Sequence, residues 1–291
     1  MIALSNPEKI ALLTDSTADL PAPMREGKPI YVVPLKIRCE DGEYSDGVDI
    51  TAEGVYERLH RGELPRTSLP EGGVVSDTLD QIRADGYERV IAVMLSSGLS
   101  GTYNMVRLQA GQRDDLEIAV FDSRSGSLGI GIMVLQLWEE IVAGASWETL
   151  VRERAPHLVA NTFPFFSVDT LEYLRRGGRI GRITALAGTM LSIKPVMHVD
   201  DEGHLTKVGT ARGRNASLKA LVDHMAETAI DPAGQTVFIS HGDCEGDANR
   251  VAEDVKRRFG VQTVVLNNVG PVIGAHSGPG TVALFFLGRH R

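Results

Sequence analysis

Short apolar runs that indicate buried strands alternate with stretches of helical spacing through the first half of the chain. Chains with this alternation build strand–helix–strand units, whose strands pair in parallel within one sheet. The first half therefore predicts a parallel sheet covered by helices, with turns at 40–47. The predicted strands are residues 10–13, 31–33, 90–95 and 118–121, and the predicted helices are 52–60, 101–109 and 127–143.

The pattern changes after about residue 158, where the alternation becomes irregular. Two apolar stretches, 194–199 and 204–209, flank the turn sequence DDEG and predict an antiparallel hairpin. The other predicted elements are strands at 163–168, 236–240, 262–266 and 281–286, and helices at 171–174, 217–228 and 245–259. We therefore expect an α/β chain of two domains: an N-terminal parallel-sheet domain, 1–158, and a C-terminal mixed-sheet domain, 159–291. The boundary is approximate and allows an exchange of segments.

The composition supports a globular chain and argues against several classes of function. Hydrophobic residues make up 43% of the 291 residues, which allows a buried core. A net charge of −8 gives no general attraction for nucleic acid or anionic membranes. No segment approaches the ~20 apolar residues of a membrane-spanning helix, and the start lacks a signal-peptide pattern, so we expect a cytoplasmic protein. Cys39 and Cys244 form neither a metal-like cluster nor a disulfide framework.

A run of small hydroxyl residues and glycines follows the predicted strand at 90–95. From residue 96 to residue 103 it reads SSGLSGTY and opens a predicted helix. Free backbone N–H groups at such a helix start suit an anion, although a serine N-cap explains the run equally well. The run lacks the Gly-Lys-Ser/Thr of a phosphate-binding loop, and Thr102 stands where a hydrolase nucleophile elbow needs glycine.

Two further segments carry polar side chains without an assigned partner. Ser68 and Glu71 have the spacing of a capping box, which explains Ser68 structurally and leaves the hydroxyl of Thr67 unassigned. His276 lies in a stretch rich in glycine and proline, 270–280, which we expect to be a loop between two strands. An imidazole in a loop of this kind can donate a hydrogen bond to an anion.

Arginines cluster in an otherwise acidic chain. Arg175, Arg176, Arg179 and Arg182 lie within eight residues around a double glycine, and Arg212 follows later. A solvated loop is the ordinary explanation of such a run. Guanidinium groups also bind phosphates and carboxylates through two parallel hydrogen bonds, so a basic surface is the alternative.

The motifs occur together in an order that resembles the DegV family of fatty-acid-binding, FakB-like proteins. The resemblance runs through almost the whole chain. The matching pieces are TDSTADL (14–20), VPL (33–35), DGVDI (46–50), TSLP (67–70), SSGLSGTY (96–103), FDS (121–123), GGRI (177–180), KP (194–195), AR (211–212) and the segment 270–280.

The resemblance implies a two-domain carrier with one long-chain fatty acid of the palmitate, stearate or oleate class between the domains. It implies no metal and no cofactor, and a separate ATP-dependent kinase that phosphorylates the bound carboxylate. Carried over by position, the carboxylate contacts are Thr67, Ser100 and His276, with Ser97 and Gly101 beside them. Arg179 and Arg212 match arginines associated with the kinase step. Leu69 replaces the family's usual glutamine, which puts the polar network behind Thr67 in question.

Two other functions are compatible with the same residues. An acyl hydrolase would use Ser100 as nucleophile, His276 as base and Asp15 as orienting group, but the chain lacks the elbow motif. A binder of sugar or nucleotide phosphates would use the 96–103 run. Lipid that co-purifies with the protein distinguishes the carrier from the phosphate binder.

Overall fold

The computed structural model describes residues 6–181, 183 and 192–289. The strands are β1 (Ile10–Asp15), β2 (Ile30–Val33), β3 (Lys36–Cys39), β4 (Gly42–Ser45), β5 (Arg66–Ser68), β6 (Arg89–Met94), β7 (Glu117–Asp122), β8 (Thr162–Ser167), β9 (Ile193–Val199), β10 (Leu205–Arg212), β11 (Val237–His241), β12 (Val264–Asn268) and β13 (Val282–Leu287). The helices are α1 (Ala22–Arg25), α2 (Ala52–His60), α3 (Gly72–Ala84), α4 (Thr102–Ala110), α5 (Leu128–Val142), α6 (Trp147–Thr149), α7 (Ala155–Asn161), α8 (Glu172–Arg176), α9 (Arg214–Thr228), α10 (Glu245–Phe259) and α11 (Pro271–Ser277).

The first sheet confirms the parallel sheet predicted for the N-terminal half. Its strand order is β2-β1-β6-β7, and all neighbouring strands run parallel. Successive side chains of β1 point to opposite faces, so Leu12 packs with α5 whereas Leu13 packs with α3 and α4. Both faces of the sheet are therefore covered by helices, as the continuous apolar runs of its strands require.

The second sheet confirms the mixed sheet predicted for the C-terminal half. Its order is β10-β9-β8-β13-β11-β12; β11 and β12 are parallel, and the other neighbours are antiparallel. The predicted hairpin is β9 with β10. Phe163, Phe165 and Phe286 stack on one face with ring centroids 5.8–5.9 Å apart, where they pack with α9 and α10.

Helix α5 packs between the two sheets. Eleven of its fifteen residues are buried, as expected for a helix that is apolar on all sides. Its core cluster joins Leu12 and Ile91 of the first sheet to Phe238 and Phe285 of the second. The domain boundary near residue 158 stays a prediction.

A third, small sheet was not predicted. Strands β4, β3 and β5 pair antiparallel in that order, so the 40–47 segment is part of a hairpin. The capping box predicted at Ser68 is wrong, because Ser68 ends β5 and the helix begins only at Gly72. The β5 pairing places Thr67 directly opposite Ile37 of β3.

Among the described residues, no helix combines the length and the apolar character that crossing a membrane requires.

Candidate ligand-binding cavity

A cavity lies between loops of the first half and the second sheet. Its volume is about 130 Å³. This is several times the ~30 Å³ that one water molecule takes up in the liquid, so the cavity has room for a ligand larger than water. The wall is mostly apolar, and its apolar members include Leu35, Leu95, Leu99, Pro164, Phe166, Leu174, Val199, Leu205, Val272, Ile273 and Phe285. Such a wall suits an alkyl chain better than a polar ligand.

Thr67 and His276 meet in the wall of this cavity. The Oγ1 atom of Thr67 lies 2.7 Å from Nε2 of His276, although 209 positions separate the two residues in sequence. Strand β5 holds Thr67, and His276 lies in the last turn of α11. The predicted loop around His276 is therefore wrong: Pro271 starts a helix there, and Gly278, with φ of +75°, ends it.

The imidazole of His276 is neutral near pH 7. Burial, and secondarily the positive charge of Arg179, lower the pKa of His276 from 6.5 to about 4. Its Nδ1 atom is buried, has no hydrogen-bond partner among the described residues, and lies against the backbone of Gly177. A Cβ atom at residue 177 would overlap Nδ1, so the close approach requires glycine at this position.

Ser100 joins Thr67 and His276 in the cavity wall, whereas Ser97 and Gly101 are absent from the wall formed by the described residues. The Ser100 hydroxyl lies 2.9 Å from that of Thr102, just before α4. Ser97 turns outward, where its backbone N–H donates to Asp122 at 3.0 Å and its hydroxyl bonds the same carboxylate. Three of the five predicted carboxylate contacts are thus together, and the role of all five stays a prediction.

Arg179 also lines the cavity, which the sequence analysis did not foresee. Its guanidinium donates to the carbonyl of Leu99 at 3.2 Å and to that of Gly177 at 2.8 Å. Arg212 is exposed at the end of β10. Arg179 therefore lies beside the residues predicted to contact the carboxylate, whereas Arg212 lies on the surface, and the kinase-related role of both arginines stays a prediction.

The other arginines of the predicted cluster have separate positions. Arg175 and Arg176 are exposed and both bond Glu172, at 2.7 and 2.5 Å, within α8. Arg182 lies outside the described residues. The double glycine in this cluster has two explanations: Gly177 packs against His276, and Gly178 has a φ of +69°.

Leu69, which replaces the expected glutamine, lines the cavity near Thr67 and is 38% exposed. Its δ-methyl groups lie close to Gly101, because a Cβ atom at residue 101 would be 3.4–3.6 Å from them. The contact between β5 and the start of α4 is therefore apolar at this residue. The exposed fraction shows that this end of the cavity reaches the surface.

The three residues of the hydrolase alternative bond to other groups. Ser100 bonds Thr102, and His276 bonds Thr67. The carboxylate of Asp15 is buried, accepting from the backbone N–H groups of Thr17 at 3.0 Å and Leu95 at 2.8 Å. This geometry gives no support to an acyl hydrolase.

Within the described residues, one cluster has atoms close enough to hold a metal ion. Cys39, Asp41 and Glu63 place ligand atoms within 4.8 Å of one another. The guanidinium of Arg58 bonds both carboxylates, at 2.7 and 3.2 Å, and supplies the cluster's positive charge. The cluster is therefore explained as an ion-pair network.

Comparison with known proteins identifies the family of this chain. A family model described as "Uncharacterised protein, DegV family" matches residues 9–289. A DegV domain-containing protein of Clostridium acetobutylicum is 35% identical over 277 residues, which cover 95% of this chain and 98% of the relative. The chain belongs to the DegV family.

Solved structures of the DegV family have the same fold. A DegV family protein of Thermus thermophilus, described for its fatty acid binding, has a TM-score of 0.87 and 30% identity, covering 95% of this chain and 98% of that one. DegV of Bacillus subtilis, described as a fatty acid binding protein, has a TM-score of 0.86 and 28% identity, covering 97% and 99%. The DegV resemblance and the fold class expected from the sequence are confirmed.

Several polar cavity residues of this DegV family member were missed by sequence reasoning. Ser127 lines the cavity with φ of +53° and donates to Asp19 at 2.5 Å. Ser277 lines it with a buried hydroxyl that finds no hydrogen-bond partner in the part of the chain that the structure describes. Ser277 follows His276 directly in sequence, and that adjacency was the available signal. Ser127 carried no signal, since it looked like the start of a helix.

Proposed function

We propose that the protein binds one long-chain fatty acid, of the palmitate, stearate or oleate class, and presents it to an ATP-dependent fatty acid kinase. The observation that supports this most directly is a mostly apolar cavity with hydroxyl groups and a neutral imidazole in its wall. Relatives of the same fold are described as fatty acid binding proteins, which agrees with this chemistry.

Thr67 and Ser100 donate to the carboxylate, and His276 acts through Thr67. No described residue bonds the buried Nδ1 of His276, so the tautomer with its proton on Nε2 is favoured, since a buried bare acceptor costs less than a buried unpaired N–H. The Nε2–H group then donates to the Thr67 oxygen at 2.7 Å, and the Thr67 hydroxyl is left to donate to the ligand. His276 thereby orients Thr67, and Ser100 donates from the start of α4.

Arg179 adds a positive charge to the same wall. Its two hydrogen bonds to backbone carbonyls fix its position, and its charge acts on His276 strongly enough to lower that residue's pKa. A nearby guanidinium lowers the energy of a bound carboxylate, particularly where water is excluded. The head group is therefore bound as the anion.

The acyl chain supplies most of the binding free energy. Burial of about 14 methylene groups at ~0.8 kcal/mol each stabilises the complex by roughly 11 kcal/mol before ordering costs are subtracted. Those costs amount to several kcal/mol. Tight binding remains, and the polar end determines the orientation of the lipid.

Delivery to a kinase requires the carboxylate to be near the surface. Leu69 and the partly exposed Ser100 and Arg179 bring the polar end of the cavity to the outside. The kinase supplies ATP and transfers its terminal phosphoryl group to a carboxylate oxygen, forming an acyl phosphate and ADP. Arg212, exposed at the end of β10, is a candidate contact for that partner. Dependence on ATP places this exchange in the cytoplasm.

Denaturing extraction followed by mass spectrometry tests the binding function. The purified protein is expected to carry fatty acid in about a one-to-one ratio, and delipidated protein is expected to take up palmitate or oleate. Repeated preparations without lipid, and without uptake, would refute the proposal. Co-purified lipid that persists while a phosphate ester is absent excludes the phosphate binder.

A further inference from the structure

Helix α11, which carries His276, starts without a cap of its own. Its N-cap residue is Gly270, which has no side chain, and its first residue is Pro271, which has no N–H group. The early N–H groups of a helix need acceptors from elsewhere when the local sequence offers none. Residues far away in the chain must therefore supply the acceptors for α11.

Two buried carboxyl groups occupy that position. Asp46 precedes α2 and faces the backbone N–H of Val272, and Asp19 follows β1 and faces the N–H of Gly270. A Cβ at Gly270 would overlap the Oδ1 atom of Asp19, so the approach of the carboxyl group requires glycine here. Negative or hydrogen-bonding groups at a helix start stabilise it through the orphan N–H groups and the helix dipole.

Both acidic residues are themselves held by hydrogen bonds from other elements. The hydroxyl of Ser16 bonds Asp46 and accepts from the N–H of Leu35 at 3.1 Å. Ser127 donates to Asp19 at 2.5 Å, and Asn267 donates to the backbone carbonyl of Asp19 at 2.6 Å. These contacts hold Asp19 and Asp46, called the acid pair below, in place. Neither residue lines the cavity that contains Thr67 and His276.

We propose that Asp19 and Asp46 are positioning residues for head-group recognition. From outside the cavity they hold the first turn of α11, and the helix in turn holds His276 against Thr67. The helix has seven residues and is about 10 Å long, so a shift at its start is transmitted to its end. Val272, Ile273 and His276 line the cavity along one side of this helix, so its displacement also moves the wall.

This inference rests on the proposed fatty acid binding, and its test separates the two. Palmitate and hexadecanol affinities are measured for the wild type and for Asp46→Ala, together with the NMR signals of the His276 ring in lipid-free protein. Asp46→Ala is expected to bind palmitate five- to tenfold more weakly, to change hexadecanol affinity less than twofold, and to shift the His276 signals. Asp46→Asn keeps an acceptor oxygen for Val272 and is expected to restore both readouts.

Asp15→Asn is the control, because Asp15 is a buried acid of the 14–20 motif, which also contains Asp19, and its carboxylate accepts from Thr17 and Leu95 instead of facing α11. Its ratio of palmitate to hexadecanol affinity is expected to stay that of the wild type. If Asp46→Ala does not fold, Ser16→Ala takes its place in the test. This variant removes the hydroxyl that bonds Asp46 and is expected to give a smaller change in the same direction.

Unchanged affinity ratios and unshifted His276 signals in folded Asp46→Ala or Ser16→Ala overturn the positioning role. An equal change in Asp15→Asn overturns it as well, because the effect would then be a general one of buried acids. If the wild type binds neither lipid, the proposed function fails, and the His276 signals still decide whether the acid pair positions the helix.

Discussion

The backbone of Gly177 lies against the imidazole of His276, so closely that a Cβ at residue 177 would overlap Nδ1. Gly177→Ala is therefore expected to displace the ring from Thr67 and to weaken palmitate binding about tenfold, or ~1.4 kcal/mol. Gly178→Ala is the control: its φ of +69° makes alanine strained, but none of the described residues has an atom within 4 Å of a Cβ there. It should lower the unfolding midpoint while palmitate affinity, measured by calorimetry, stays unchanged. Equal affinities for both variants would contradict this account.

Removal of single hydroxyl groups tests the carboxylate contacts. Thr67→Ala and Ser100→Ala are each expected to cost about 1–2 kcal/mol of palmitate binding, because each loses a hydrogen bond to a charged group. Hexadecanol binding should change less, and Thr67→Ser should retain most of the affinity. Ser97→Ala should have no effect, since the Ser97 hydroxyl bonds Asp122. If Ser97→Ala lost as much palmitate affinity as Ser100→Ala, Ser97 would be a carboxylate contact, as expected from the sequence.

The two arginines are expected to differ. Arg179→Ala should weaken palmitate binding, because Arg179 lines the cavity, and it should raise the pKa of His276, which the arginine's charge lowers. Arg212→Ala should leave palmitate affinity unchanged and reduce acyl phosphate formation when a cognate kinase is supplied. Lipid affinity and an NMR titration of His276 check the first variant. Normal palmitate affinity in Arg179→Ala would show that Arg179 does not contribute to lipid binding and would favour a role in the kinase step alone.

Two buried groups should have opposite effects on stability between pH 4 and pH 6. Because the folded-state pKa of His276 is lowered to about 4, the unfolded chain binds more protons there, and stability falls as the pH drops from 6.5. Burial raises the pKa of Asp46 from 3.8 to about 6, so at this residue the folded chain binds more protons than the unfolded chain. Through Asp46, the free energy of unfolding therefore increases as the pH drops from 6.5. Each effect is on the order of 2–3 kcal/mol, and they partly cancel.

Asp46→Asn should therefore lose more stability than the wild type when the pH is lowered from 6.5 to 4, because the His276 effect is no longer offset. His276→Asn should show the reverse change. Urea unfolding at several pH values measures both differences, and all other titrating groups are shared by the three proteins. Parallel stability curves for the three proteins would show that neither group titrates as described.

The periodic elements could be predicted from sequence, and the reasons are local. Helices α2 and α10 have the predicted bounds because their apolar spacing is regular and their ends are marked. Thr51 accepts from the N–H of Gly54 at 3.3 Å at the start of α2, and Gly260, with φ of +71°, ends α10. Such signals lie within the segment that they define.

The missed elements depend on distant partners. Strand β5 has three residues and exists because β3 pairs with it about thirty positions away. Helix α11 contains Pro271 and Gly274 and has low intrinsic propensity, and the two acids that face its start, Asp46 and Asp19, come from the first half of the chain. Neither arrangement can be recognised by inspecting the segment alone.

The residues of the candidate site were named from the family resemblance, and not all of them line the cavity. Thr67, Ser100 and His276 were named correctly as neighbours in the cavity wall. Arg179 was linked to the kinase step by the resemblance, and its hydrogen bond to the carbonyl of Leu99 is a tertiary contact that the sequence does not reveal. A charge run in sequence does not distinguish an exposed guanidinium from one that faces inward.

The hydrogen bond between Thr67 and His276 joins the first quarter of the chain to its last sixteen residues. A fragment of the chain that stops before α11 lacks the imidazole that bonds Thr67, so neither half of the chain forms the head-group site of the proposed function by itself. Cleavage of the chain between these two residues would leave that site dependent on the two fragments staying associated.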